Sequence, residues 1–121
     1  MGRADQRGKA APSNRELTRG TVWGFRYLDT GEPKPVVIVS NDGRNRSRFE
    51  WVHAVRITSR PKRPLPTIVD LSPADAPVTG RAMVDEVELI HKGDLEERRG
   101  TLSPATMRTI DDALRRVFAV S

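Results

Sequence analysis

Between Thr21 and Ile90 no apolar run is longer than a strand, and each is closed by proline, glycine or a polar cluster. That punctuation restricts most of the chain to short extended segments. The longest clearly apolar stretch is Val36–Val39, far below the roughly 18 residues a membrane-spanning helix needs. From Ser59 to Pro66, three prolines remove backbone donors and pin φ, so no regular element can form there. Strands are expected over residues 21–28, 36–40, 49–57, 67–71 and 80–90, the second buried on both faces. In the third, alternation puts Trp51, His53, Val55 and Ile57 on one side, and Val52, Ala54, Arg56 and Thr58 on the other.

Only the C-terminal part is patterned as a helix. Ser103 suits an N-cap, and Pro104 suits the first helical position, where its missing N–H costs nothing. Met107, Ile110, Leu114 and Val117 then recur at helical spacing with Phe118 beside them, opposite Arg108, Asp111, Asp112, Arg115 and Arg116. The fold class this predicts is mainly β (α+β): a small, strongly curved sheet or barrel covered by one amphipathic C-terminal helix. A chain of 121 residues supports one domain. Residues 1–17 lack apolar periodicity and predict a disordered, weakly basic tail, leaving 18–121 for the domain.

The absence of cysteine excludes disulfides, a thiolate nucleophile and Cys-type zinc sites, and two histidines are too few for most His-based metal sites. No metal and no cofactor are expected. No apolar segment opens the chain, which predicts a soluble, cytoplasmic protein. The net charge of +5 is concentrated in the middle: residues 41–66 carry seven basic side chains against Asp42 and Glu50. Such a cluster draws phosphate backbones or acidic partner segments, and salt screens both. A solvated basic surface is the plain alternative.

Several phrases, in order, resemble the MazF/PemK family of toxin endoribonucleases. They are Arg19-Gly-Thr-Val-Trp23, Pro35-Val-Val-Ile-Val-Ser-Asn-Asp42, Asn45-Arg46, Ile57-Thr-Ser59, Pro66-Thr67, Val84-Asp-Glu-Val87 and Gly100-Thr-Leu-Ser-Pro104. None is specific alone; their order and spacing from about Arg19 to Val120 are. The resemblance implies a small SH3-like β-barrel of the CcdB/PemK type, usually homodimeric. It also implies metal-independent, sequence-specific cleavage of single-stranded RNA, controlled by an acidic antitoxin segment that covers the RNA groove.

The chemistry so implied is attack of a ribose 2′-OH on its neighbouring phosphate. It needs a proton acceptor, a proton donor for the leaving oxygen, and donors for the extra phosphorane charge. The family pattern places an arginine just before the Pro-Val strand and a Ser/Thr at the end of a later strand; these positions map to Lys34 and Thr58. Thr58 can donate to a phosphate oxygen, or it can cap its own backbone. Lys34 keeps the charge but loses the planar bidentate grip of arginine. It is then a point-charge stabiliser, a proton donor, or merely a solvated lysine between two prolines.

Arg56 shares a face with Thr58 and either supplies the missing guanidinium or lies along the barrel wall. Asp85 and Ser59 are second-tier candidates. Arg44, Arg46, Arg60, Lys62 and Arg63 are the expected RNA-binding cations. The loop 29–33 is short for the family, so a more open groove is expected. His53 alternates away from Thr58 and is expected in the core or at an interface, and neither Trp23 nor Trp51 is assigned to RNA. Two other functions remain open at this point: a catalytically weak or dead binder of RNA or antitoxin on the same fold, and a gyrase-poisoning toxin.

Overall fold

The structure is a computed structural model that describes residues 16–28 and 31–119. Most of the expected tail falls outside those residues, but Leu17 is fully buried in the core. Seven strands, all paired antiparallel, form one sheet: β1 (Thr21–Phe25), β2 (Lys34–Ile38), β3 (Trp51–Thr58), β4 (Ile68–Asp70), β5 (Arg81–Met83), β6 (Glu88–His91) and β7 (Leu95–Thr101). The order is β4-β5-β3-β2-β1-β7, with β6 beside the first half of β3. The sheet is barrel-like, but this path does not close. Helix α1 (Asp42–Asn45) is a single turn, and α2 (Pro104–Val117) is the C-terminal helix. Among the described residues no helix is long and apolar enough to cross a membrane.

Alternation along β2 and β3 splits the interior into two clusters. Val37, Val55 and Ile57 face α2, which buries Ile110 and Ala113 against them. Burying Ile110 contributes about 2–3 kcal/mol. Val36, Ile38, Val52 and Ala54 face the other way and pack with Leu17, Trp23, Ile90 and Leu95. Ser103 caps α2, its hydroxyl accepting from Thr106 N–H, with Pro104 at the first helical position as expected. The buried Asp75 accepts from Ser103 N–H and Thr106 Oγ1, each at 2.7 Å, and so ties the helix start to the loop before β5.

The observed elements depart from expectation in four places. Residues 80–90 are not one strand: a 3₁₀ turn at Val84–Glu86 separates β5 from β6, so β3 is flanked by two short strands. The basic loop after Ser40 contains α1, locked by buried Asn45, whose Nδ2 donates to Ser40 O at 2.8 Å. Strand β7 was not anticipated. Phe118 is 62% exposed rather than packed under the helix.

Candidate active-site cleft

Pro33 and Pro35 hold the chain extended around Lys34, the first residue of β2, which pairs with Phe25 of β1. Across the β2–β3 ladder Val36 lies opposite Arg56. Two further residues along each strand bring Lys34 level with Thr58, so Lys34, Arg56 and Thr58 project from one face. They meet in a cleft of about 580 Å³ that Glu32, Ser59, Arg60, Thr79 and Arg99 also line. Four cations and one carboxylate surround the space.

Arg56 is half-buried, its guanidinium carbon 5.0 Å from the centre of the Tyr27 ring. Stacking fixes the group, yet no acceptor among the described residues takes any of its five N–H donors. Burial pushes the Tyr27 hydroxyl well above its usual range; the Glu88 carboxylate adds to that shift and Arg56 opposes it. Burial also raises Glu88, against the charge of Arg56. The ring of Tyr27 and the charge of Glu88 attract the guanidinium, against the cost of burying it.

Thr58 Oγ1 accepts from Arg60 N–H at 3.2 Å, which leaves its own proton available to donate. Both readings of this threonine are therefore compatible. Gly80 lets β5 pass close to it: φ is +118°, and a Cβ there would lie 2.4 Å from Thr58 O. Arg81 Nη1 donates to Arg60 O at 3.3 Å, fixing the backbone while the Arg60 side chain remains exposed at the rim. The Lys34 ammonium lies 3.9 Å from Glu32 Oε1, a loose pair.

The other expected residues separate. Lys62 and Arg63 are exposed on the proline-rich strap beyond Arg60 and do not line the cleft. Arg44 and Arg46 lie at the opposite end of β3, where Arg44 donates to Trp51 O at 3.1 Å and stacks on Phe49. Seven strand steps place that end roughly 23 Å from Thr58. The basic middle of the sequence is therefore two surfaces rather than one. Asp85 is exposed on the 3₁₀ turn and does not line the cleft. His53 is exposed and not in the core; it pairs across from Leu89 on the outer face of β3 and β6. Trp23 is buried, its Nε1 donating to Thr21 Oγ1, whereas Trp51 is 47% exposed.

Arg99, Tyr27, Glu88 and Glu32 were missed as site residues. Arg99 sits at a break in the β1–β7 register, which no periodicity reveals, although the doubled Glu-Glu-Arg-Arg before Gly100 is a visible oddity. Among the described residues no group of three or more His, Cys, Asp or Glu side chains is placed to hold a metal ion.

The family described as PemK-like, MazF-like toxin of type II toxin-antitoxin system matches residues 18–118. The chain is 43% identical over 81 residues to endoribonuclease MazF1 of Mycobacterium bovis, covering 67% of this chain and 74% of that protein. A solved endoribonuclease from a mycobacterial species superimposes with a TM-score of 0.76 at 36% identity, covering 92% of this chain and 94% of the other. A mycobacterial endoribonuclease in complex with its cognate antitoxin gives 0.78 at 38% identity, with 86% and 96% covered.

Proposed function

We infer the activity from one premise: the chain belongs to the PemK-like, MazF-like toxins of type II toxin–antitoxin systems. It is an endoribonuclease, and its substrate is single-stranded RNA. The observation that carries the assignment of the site is Arg56, a half-buried guanidinium held by Tyr27 with no acceptor among the described residues, in one cleft with Lys34 and Thr58.

The reaction assigned to the cleft proceeds without a metal. The 2′-hydroxyl attacks the adjacent phosphorus, the P–O5′ bond breaks, and a 2′,3′-cyclic phosphate forms. Arg56 spans two non-bridging oxygens as negative charge grows on them, and the Thr58 hydroxyl donates to one of them. Lys34 gives a proton to the departing O5′. Glu32, the carboxylate of the cleft lining, accepts the proton of the attacking hydroxyl. Arg60 binds the neighbouring phosphate at the rim, and Ser59 is a further donor there. Lys62 and Arg63 extend this cationic path along the strap, whereas Arg44 and Arg46 serve RNA only on a long substrate that reaches the far end of β3.

The same cations fit the acidic segment of an antitoxin, which inhibits by occupying the RNA path. An exposed stripe of Phe49, Trp51 and Leu89 on the outer face of β3 and β6 supports a homodimer. The stripe has basic residues of the α1 region at one end and Asp85 and Glu86 at the other, an arrangement that a two-fold axis makes self-complementary. As an enzyme of cellular RNA it acts in the cytoplasm.

The test is incubation with a long single-stranded RNA in EDTA. Discrete fragments ending in cyclic phosphate or 3′-phosphate are expected. Salt-sensitive binding without scission would instead make the chain a catalytically dead binder, and inhibition of DNA supercoiling would make it a gyrase poison.

A further inference from the structure

The start of β2 is poorly fastened by its own backbone. Pro33 and Pro35 have no N–H to donate, and the ladder to β1 ends at the Phe25–Lys34 pair. Lys34 nevertheless has to stay in the cleft, and its pair with Glu32, at 3.9 Å and with the carboxylate 79% exposed, is too loose to hold it there.

A side chain from a third strand supplies the fastening. Between β1 and β7 the register runs Val22 to Gly100 and then Trp23 to Arg98, so Arg99 is the extra residue of a β-bulge. A bulge re-aims the residue it carries. Here Arg99 Nη2 donates to Pro33 O and Nε donates to Glu97 Oε1, both at 3.2 Å. The bridge crosses β1 at Gly24, where a Cβ would come within 2.8 Å of Glu97 Oε1 and 3.2 Å of both Arg99 Nη2 and Pro33 Cβ. The absent side chain of Gly24 is what lets the bridge lie against the sheet.

We propose that Arg99 is a positioning residue: from its bulge it clamps the Pro33 carbonyl and thereby holds the Lys34 ammonium in the cleft. Its kinetic consequence rests on the endoribonuclease reading above, while its structural consequence does not. Arg99 acts through Lys34, so its loss changes turnover only while Lys34 is present.

Two measurements on Arg99→Ala decide this, with Arg99→Lys as the conservative control. Hydrogen exchange of the amide of Lys34, which pairs with Phe25 at the end of the β1–β2 ladder, should quicken at least tenfold in Arg99→Ala while the rest of the sheet keeps its protection, and Arg99→Lys should restore part of it. RNA cleavage should lose about tenfold or more in kcat with KM little changed, and Arg99→Ala should add nothing in a Lys34→Ala background. Unchanged exchange at Lys34 overturns the proposal whatever the activity does. Additive losses with Lys34→Ala also overturn it, because Arg99 would then act on RNA directly. If the unmutated chain cleaves no RNA, the functional reading fails, and the exchange measurement still decides the role of Arg99.

Discussion

Replacing Arg56 with alanine isolates the group that the cleft holds ready for a phosphate. Removing one preorganised donor to a developing oxyanion typically costs 10²–10³ in kcat, about 3–4 kcal/mol. Lys34 and Arg60 still line the cleft after the change and offset part of the lost charge. The expected loss is therefore near the lower bound, about 100-fold in kcat. Arg56→Lys keeps the charge but not the planar fork, and an intermediate loss of about tenfold is expected. Stability should suffer little, since stacking on Tyr27 at 5.0 Å is the principal contact given up. A cation–π contact of about 0.5–1 kcal/mol translates into a melting shift of roughly 2–5 °C for a domain of this size. The assay is single-turnover cleavage of a fluorescent RNA in EDTA, with circular dichroism melting alongside. A folded Arg56→Ala protein that cleaves at the unmutated rate refutes the assignment and leaves Arg56 as a wall residue.

Three further outcomes follow from named contacts. Tyr27 is the sole tyrosine, so absorbance at 295 nm reports its ionisation alone. Burial first, then Glu88, raises its pKa, so no tyrosinate should appear as pH passes 10 in the folded protein. The unfolded chain does lose that proton near pH 10, so stability should fall as pH rises beyond that point, and a midpoint at the ordinary value would contradict that burial. Burial alone would raise Asp75, but hydrogen bonds from Ser103, Ser72 and Thr106 outweigh it and hold the carboxyl below its usual range. The stability it contributes is present above about pH 4 and lost as pH falls through the lower folded value; Asp75→Asn should cost about 2 kcal/mol at pH 7 in a denaturant titration and flatten that acid limb. Leu89→Glu should weaken the homodimer in sedimentation equilibrium without unfolding the chain; an unaltered dimer would place the interface elsewhere.

Strand β3 and helix α2 were legible because each carries a complete local pattern: period-two alternation in one, cap and helical spacing in the other. Strand β7 was not, since Leu95 is its one large apolar residue and its remaining side chains are mostly charged. Its place is fixed by backbone pairing to β1 and by pairs such as Arg26 with Glu96, which only tertiary structure brings together. The break at Val84–Glu86 was hidden because apolar residues resume at Val87 directly after Asp85 and Glu86, with no proline or glycine to mark the turn. Alternation sufficed to put Arg56 with Thr58, and the family likeness supplied Lys34; the register of β2 against β3 then brought the three together. Charge counting along the chain failed to separate Arg44 and Arg46 from Arg60, because sequence proximity conceals the full length of β3 between them. Tyr27, Glu88 and Arg99 were invisible for the same reason: each reaches the site from a strand or turn distant in sequence.

The central claim is that one cleft, bounded by Lys34, Arg56 and Thr58, grips the scissile phosphate. It is tested most directly by NMR titration with an RNA of mapped cleavage site, made uncleavable by a 2′-deoxy nucleotide at that position. The resonances of the Lys34 and Thr58 amides and the Arg56 Nε should shift together, with one Kd that weakens as salt is raised. Shifts confined to Arg44, Arg46 and Trp51 at the other end of β3, with the cleft resonances unmoved, would contradict the account.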